Sequence, residues 1–239
     1  MHNTRERHFI SVFPRSFEES ENGMDEIRPI VYVIDDEITV GTALQRLLRS
    51  VGLAAKTFTS AQEFLDAKPQ DAPGCLVLDV RMPGMSGLEV QQRLAAAGTC
   101  LPVIFLTGHA DVEMTVRAMK AGAIEFLTKP FHEQELLDAI QAALQRHRID
   151  LENRTKRSIL QVHYGSLTPR ESEVFRLVTN GLLNKQIAAD LGASEKTIKV
   201  HRAQVMRKMG AGSLADLVRM AEKLQAGPPW SEPSRTKVR

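Results

Sequence analysis

The chain has 239 residues, of which 43% are hydrophobic, and a formal net charge of +2. This length predicts one or two packed domains. No apolar run approaches the length of a transmembrane helix, and the N-terminus lacks the apolar core of a secretory signal, so we expect a soluble cytoplasmic protein that does not bind membranes. The two cysteines, Cys75 and Cys100, suggest neither a disulfide framework nor a metal site.

Charge divides the chain into two halves. Residues 29–144 contain nine Lys or Arg and fourteen Asp or Glu, which gives a net charge of −5. Residues 165–226 contain ten Lys or Arg and six Asp or Glu, which gives a net charge of +4. An acidic half followed by a basic half indicates different partners, and the basic half is the candidate for binding nucleic acid. Motifs must decide between this interpretation and ordinary solvated surfaces.

The first half alternates short apolar segments with helical patterns. The segments PIVYVIDD, AAKTF, CLVLD, PVIFLT and AIEFLT are predicted to be strands, and Val40, Leu44 and Leu48 show the one-face spacing of a helix. Apolar strands separated by helices predict a five-stranded, doubly wound parallel sheet covered on both faces. Four further helices are predicted, one capped by Ser60 and the others at Gly87–Ala97, Asp111–Lys120 and His132–Arg146.

Polar side chains follow these strands at their carboxyl ends, where ligands of such sheets bind. Asp35 and Asp36 end the first strand, Asp79 the third and Thr107 the fourth, and Lys129 follows the fifth. Close carboxylates repel one another unless a cation joins them, and Mg²⁺ suits oxygen ligands beside a phosphate. Asp79 is then a candidate nucleophile towards phosphorus, with Mg²⁺ and Lys129 neutralising the transferring phosphoryl group.

Each of these residues has an ordinary alternative role when it is taken alone. An Asp after a strand is usually a turn or cap residue, and a Lys before Pro is usually solvated. Their joint occurrence at successive strand ends favours a site. Gly84 and Gly87 would let the neighbouring loop turn without a Cβ penalty.

The Asp35-Asp36 pair and the motifs LDVRMPGMSG, LTGHAD and FLTKPF lie between about Ile30 and Arg146. This part of the chain resembles the receiver domain of bacterial response regulators. The resemblance implies that Asp79 accepts a phosphoryl group from a histidine kinase, and that the Lys129-Pro130 bond is cis. It also implies a Mg²⁺ site and a set of phosphoryl-contacting and switch residues. The implied metal ligands are Asp36, Asp79 and the backbone carbonyl of Arg81, with Asp35 acting through water, and the implied switch residues are Thr107, Lys129 and Phe126, the last without the hydroxyl of tyrosine.

The second half is predicted to be a helix-turn-helix. Thr168 and Glu171, with a proline after the threonine, form the capping box of one helix. NKQIAADLG is a short helix that ends at Gly192, Ser194 caps the helix EKTIKVHRAQVMRKM, and a last helix begins at Ser213. Two short helices joined by a Gly-containing turn in a basic domain favour DNA binding over a solvated amphipathic helix.

The helix that follows Ser194 has two faces. Ile198, His201, Val205 and Met209 are expected to pack inward, and His201 is expected to be a core histidine because it has no partner at metal-ligand spacing. The other face is expected to enter the major groove, where cations meet phosphates or guanine and Val200 meets a thymine methyl. The predicted DNA-contacting residues are Lys196, Lys199, Val200, Arg202, Ala203, Arg207 and Lys208, of which Arg202 and Lys208 flank the face and are assigned to phosphates.

LTPRESEV, the segment from NKQIAADLG to VMRKM and the last helix, about Ser166 to Leu224, resemble the LuxR-type DNA-binding domain of FixJ and NarL regulators. The resemblance implies groove contacts by Lys199 and Val200 and a dimer contact by the last helix. We therefore expect an α/β receiver followed by an all-α helix-turn-helix, in a phosphorylation-controlled transcription factor that is not an enzyme beyond its own phosphoryl transfer. The expected partners are a sensor histidine kinase, promoter DNA, a second copy of the chain and RNA polymerase.

The expected divisions are an extension at 1–28, a receiver at 29–146, a linker at 147–164, a helix-turn-helix at 165–226 and a flexible tail at 227–239. Translation is expected to start at Met1 or Met24, and the last receiver helix is expected to continue towards Gly165. Two alternatives stay open. A Mg²⁺-dependent phosphohydrolase leaves the basic helix unexplained, and a constitutive DNA binder with a vestigial receiver leaves the complete acceptor site unexplained.

Overall fold

A computed structural model describes residues 28–67, 72–109 and 111–225. The predicted extension up to residue 27, with Met24, and the tail from residue 226, with Trp230, lie outside the described residues. Within the described ranges no helix has both the length and the apolar character needed to cross a membrane. The strands are β1 (Ile30–Ile34), β2 (Ala54–Phe58), β3 (Gly74–Asp79), β4 (Val103–Thr107) and β5 (Glu125–Thr128), and the helices are α1 (Ile38–Ser50), α2 (Ala61–Ala67), α3 (Gly87–Ala96), α4 (Val112–Lys120), α5 (Glu133–Gly165), α6 (Pro169–Thr179), α7 (Asn184–Asp190), α8 (Glu195–Met209) and α9 (Leu214–Gln225).

The five strands form one parallel sheet in the order β2-β1-β3-β4-β5. This order confirms the predicted doubly wound sheet. The chain leaves β1 towards β2 on one side and returns to β3 on the other, so the connections diverge beside β1 and β3. Crevices at such a point bind ligands beyond the carboxyl ends of the strands. Asp35 and Asp79 stand at that end because Ile34 of β1 is in register with Leu78 of β3.

Helices cover both faces of the sheet and bury two apolar cores. On one face α1 and α5 pack on Val33, Val77 and Ile104, and on the other α2, α3 and α4 pack on Ile34, Leu78 and other strand residues. Every residue of β3 and β4 is buried, which explains why their sequences are continuously apolar rather than alternating.

Helix α5 has 33 residues and runs without a break from the receiver through the predicted linker to Gly165. Two contacts fasten its middle to the receiver: the Gly74 N–H donates to His147 Nδ1 at 2.9 Å, and Arg154 donates to the Gly98 carbonyl at 3.2 Å. Burial lowers the pKa of His147, which keeps its imidazole neutral and able to accept this bond. Further along, Leu160 packs against the helix-turn-helix core.

The four C-terminal helices form a separate core around Val174, Ile187, Ile198 and Val205. The predicted capping box of α6 is present, since the Glu171 N–H donates to the Thr168 hydroxyl and the Glu171 carboxylate accepts from the Thr168 N–H. Ser194 caps α8, as expected from the sequence.

Gly87 begins α3 directly against the end of β3. A Cβ atom at this position would lie 2.4 Å from the carbonyl oxygen of Asp79 and 3.1 Å from Leu78 Cγ. Close packing therefore explains Gly87, whereas the left-handed backbone of Gly84, with φ of 82°, explains why glycine occupies the turn before it.

We predict that Gly87→Ala lowers the free energy of unfolding of the receiver by about 1–3 kcal/mol, because the backbone carbonyl of Asp79 cannot move aside freely. Gly108→Ala is the matched control, since a Cβ there meets nothing within 4 Å. Hydrogen exchange of the β3 amides measures the effect. Equal protection in the two variants would contradict the steric explanation.

Candidate functional site

Three carboxylates meet at the carboxyl end of the sheet. Asp35 is 2% exposed and Asp79 is 8% exposed, whereas Asp36 is open to solvent. One oxygen from each of the three lies within 4.8 Å of the others. The structure thus brings together the acidic residues that the sequence placed at two different strand ends.

Lys129 joins two of these carboxylates from the far edge of the sheet. Its Nζ donates to Asp35 Oδ2 at 2.7 Å and to Asp79 Oδ2 at 2.9 Å. Burial alone would lower the pKa of Lys129, but the hydrogen bonds to Asp35 and Asp79 outweigh it and raise the pKa above its ordinary value. The ammonium is therefore charged throughout the neutral range. The Lys129-Pro130 peptide is cis, and the Lys129 N–H donates to the Thr107 carbonyl at 2.7 Å.

Backbone donors hold the remaining oxygens of the two buried carboxylates. The Glu37 N–H donates to Asp35 Oδ1 at 2.9 Å, and the Arg81 N–H donates to Asp79 Oδ1 at 3.0 Å. Sequence reasoning missed both contacts because a backbone N–H leaves no signal in residue identity. Arg81 was expected to contribute its carbonyl, and the contact seen here is made by its amide.

Thr107 ends β4, which lies next to β3, and Phe126 lies in β5 at the edge of the sheet. Thr107 is fully buried, and its hydroxyl donates to the His109 carbonyl at 3.0 Å instead of contacting Asp79. The half-buried Phe126 ring packs against Phe105, with 6.0 Å between the ring centroids. The hydroxyl is thus engaged within the loop between β4 and α4.

The donor set fits a magnesium ion. Mg²⁺ prefers oxygen ligands and keeps several waters, and Asp36 opens the group of carboxylates to solvent. Asp35, Asp36 and Asp79 would hold such an ion together with the Arg81 carbonyl. With Lys129, the arrangement combines a carboxylate nucleophile with positive charge, which is what phosphoryl transfer requires.

The second candidate site is the outer face of α8. Ile198, Val205 and Met209 are buried, as expected, and His201 is half-buried at the border of the core, which corrects its predicted core position. Val200 is 55% exposed at the centre of the outer face. The outer face consists of the exposed residues Lys196, Lys199, Val200, Ala203 and Arg207.

Two of the predicted phosphate contacts already have partners inside the domain. Arg202 is half-buried and donates to the Asn184 side chain at 3.1 Å, so it joins α8 to the start of α7. Lys208 turns away from the outer face, and its Nζ donates to Glu171 Oε2 at 2.6 Å and to the Ser166 carbonyl at 3.1 Å. Lys208 also lowers the pKa of Glu171. This geometry speaks against Lys208 as a DNA contact, since its ammonium is used to hold α8 on α6.

Comparison with known families assigns both halves. Residues 31–141 match the response regulator receiver domain, and residues 165–221 match the bacterial regulatory proteins of the luxR family. The second match covers the basic helix that a phosphohydrolase would leave unexplained.

Similar proteins align with this chain over most of their own length. The chain is 51% identical over 197 residues to nodulation protein W of Bradyrhizobium diazoefficiens, which covers 82% of this chain and 87% of that protein. It is 48% identical over 191 residues to the transcriptional regulatory protein FixJ of Azorhizobium caulinodans, which covers 80% of this chain and 90% of that protein. Among solved structures, the response regulator StyR superposes with a TM-score of 0.73 at 50% identity over 82% of this chain and 99% of that one. Full-length FixJ from B. japonicum superposes with a TM-score of 0.50 at 41% identity, over 82% of this chain and 96% of that one. With both family matches in one chain and relatives of about 50% identity over most of its length, the chain belongs to the response regulators of the FixJ and NarL type and is a phosphorylation-dependent transcriptional regulator.

Proposed function

We propose that Asp79 is the residue that accepts the phosphoryl group of a sensor histidine kinase. An oxygen of the Asp79 carboxylate attacks the phosphorus of phosphohistidine, the P–N bond breaks, and the imidazole of the kinase leaves and takes up a proton. The observation that carries the proposal is the double contact of Lys129 with Asp35 and Asp79. It places a cation where negative charge on the transferring group must be neutralised.

The cofactor in this proposal is Mg²⁺, held by Asp36, Asp79 and the Arg81 carbonyl, with Asp35 acting through water. The ion would supply further positive charge to the phosphoryl oxygens. Turnover is limited to the chain's own phosphoryl transfer, so we do not class it as an enzyme. The family supports this view, because its output domain binds DNA.

In the proposed switch, Thr107 exchanges the His109 carbonyl for a phosphoryl oxygen and so changes the loop that leads into α4. Helix α4 presents an apolar stripe to solvent, formed by Val112, Val116 and Met119, which are 81%, 43% and 42% exposed. Exposed apolar patches of this kind mark association sites. We therefore assign the stripe to a receiver homodimer that forms on phosphorylation.

Promoter DNA is the proposed partner of the outer face of α8, and RNA polymerase stays a predicted partner. This face is exposed although the receiver and α5 are present in the same chain. Phosphorylation would then act by aligning two DNA-binding domains on two half-sites, not by uncovering a hidden helix. Lys208 is left out of the proposed contacts.

We predict that Asp79→Asn abolishes incorporation of acid-labile phosphate from acetyl phosphate in the presence of Mg²⁺, because a neutral amide is a much weaker nucleophile than a carboxylate. Intact-mass measurement before and after mild acid treatment records the phosphate. Asp138→Asn, a change at an exposed carboxylate of α5, should be labelled like the wild type. Labelling of the Asp79→Asn variant to the wild-type extent would remove Asp79 from its proposed role.

We predict that phosphorylated wild-type protein sediments as a dimer and that Val112→Glu keeps it monomeric, because a buried charge at the stripe opposes association. Sedimentation velocity with and without acetyl phosphate measures this. Ile149→Glu, at an exposed apolar residue of α5 outside the stripe, should still dimerise. A Val112→Glu dimer would place the interface elsewhere, and a phosphorylated wild-type monomer would refute the dimer mechanism.

We predict that Lys199→Ala and Val200→Ala each weaken binding to a selected inverted-repeat site by about tenfold but change binding to random DNA less. Arg202→Ala should weaken both by similar factors, since it is assigned to phosphate. Titrations at one salt concentration provide the comparison. Lys156→Ala, at an exposed cation of α5, is the control expected to bind normally. Equal losses on both DNAs for Val200→Ala would argue against groove contact.

A further inference from the structure

His147 of α5 lies against the amino end of the sheet, at the opposite end from the acidic site. The residue is 6% exposed, and its Nδ1 accepts a hydrogen bond from the Gly74 N–H at 2.9 Å. Strand β4 begins to pair with β3 at Leu76, so the Gly74 amide lies beyond the end of that ladder and bonds to the imidazole instead of a strand carbonyl. A side chain of α5 therefore completes the hydrogen bonding at the start of β3.

This hydrogen bond requires a neutral imidazole. An imidazolium carries a hydrogen on each ring nitrogen, so Nδ1 would then be a donor that faces the donor N–H of Gly74. The backbone of Gly74 has little room to turn away, because it pairs with Ile30 of β1 and a Cβ there would lie 2.7 Å from the Ile30 carbonyl oxygen. Uptake of a proton by His147 therefore breaks the contact between α5 and β3.

The ionisable groups around His147 do not offset this loss. Burial is the main cause that lowers the pKa of His147, and Arg154 of the same helix adds to it, whereas Asp150 acts in the opposite sense. Cys75 follows Gly74 on β3, and Cys100 lies before β4 near Arg154 and Asp150. Burial raises the pKa of Cys75 to about 12 and also raises the pKa of Cys100, so neither thiol supplies a negative charge that would stabilise an imidazolium.

We propose that His147 is a pH-dependent attachment of α5 to the receiver: the neutral imidazole holds the helix on the amino end of the sheet, and the protonated imidazole releases it. Helix α5 continues from this point to the C-terminal helices, where Leu160 packs on their core and Arg157 donates to the Leu224 carbonyl at 3.4 Å. Release therefore lets the helix-turn-helix domain move independently of the receiver. The attachment involves neither phosphorylation nor DNA, so it is tested separately from the proposed function.

The pH range follows from the protons that each form binds. The pKa of His147 in the attached helix lies below its ordinary value of 6.5, to which a released and solvated imidazole returns. The released form therefore binds more protons between these two values. Attachment is fully stable above about pH 6.5 and weakens as the pH falls below it, by at most about tenfold in the equilibrium constant per pH unit.

Hydrogen exchange of the Gly74 amide in the full, unphosphorylated chain measures the attachment directly, once the intrinsic pH dependence of exchange is removed. We expect the wild type to lose protection at Gly74 by several-fold, up to about tenfold, between about pH 6.5 and 5.5. His147→Asn places an amide oxygen near the position of Nδ1 and does not titrate, so it should keep its protection over this range. His132→Asn, at an exposed histidine that begins the same helix, is the matched control and should respond like the wild type.

Relaxation of ¹⁵N nuclei records the consequence for the two halves of the chain. At about pH 7.5 both halves should tumble with one correlation time, and at about pH 5.5 with two shorter ones, in the wild type and in His132→Asn but not in His147→Asn. If His147→Asn does not fold, imidazole ¹⁵N spectra of the wild type still test the contact, because neutral His147 must carry its proton on Nε2. A proton on Nδ1 at about pH 7.5, unchanged Gly74 protection on acidification, or the same pH response in His147→Asn would each overturn the proposal.

Discussion

Lys129 provides the positive charge beside which Asp35 and Asp79 lie at the end of the sheet. Two carboxylates that are almost fully buried repel each other and lose hydration, and a buried ion pair seldom repays that cost in stability. The cluster is therefore better explained by chemistry than by folding. The cluster holds two buried carboxylates, a cation and an open acidic neighbour in one place, so the transfer proposed for Asp79 would need little reorganisation.

Two helices, α3 and α4, begin close to the charge cluster around Asp79. On one side the Asp79 carbonyl lies so close to Gly87 that α3 begins against it. On the other side Thr107 ends β4 and uses its hydroxyl within the loop before α4. A change of partner at Thr107 would therefore alter the position of α4, which carries the exposed apolar stripe.

Helix α5 contacts both the receiver and the C-terminal helices. It is fastened to the receiver through His147 and Arg154, and Arg157 donates to the Leu224 carbonyl at the end of α9. The segment expected to be a linker is thus a continuous helix with contacts at both ends. The outer face of α8 stays exposed in this arrangement, and this observation is the basis of the proposed control by receiver pairing.

The sequence by itself determined the features that depend on local pattern. Strand identities, the capping box of α6, the N-cap of α8, and the buried face at Ile198 and Val205 all follow from periodicity and short-range hydrogen bonds. The convergence of Asp35, Asp79 and Lys129 was predictable as well, since parallel strands place their carboxyl ends at one edge. Only the tertiary structure decided which neighbour each side chain meets. The helical pattern of α8 does not show that Lys208 binds Glu171 on α6. Likewise, the hydrogen bond from Gln91 of α3 to the Ala121 carbonyl depends on where α4 packs. Such contacts join residues that are distant in sequence, and helical spacing reports which face is apolar but not what covers it.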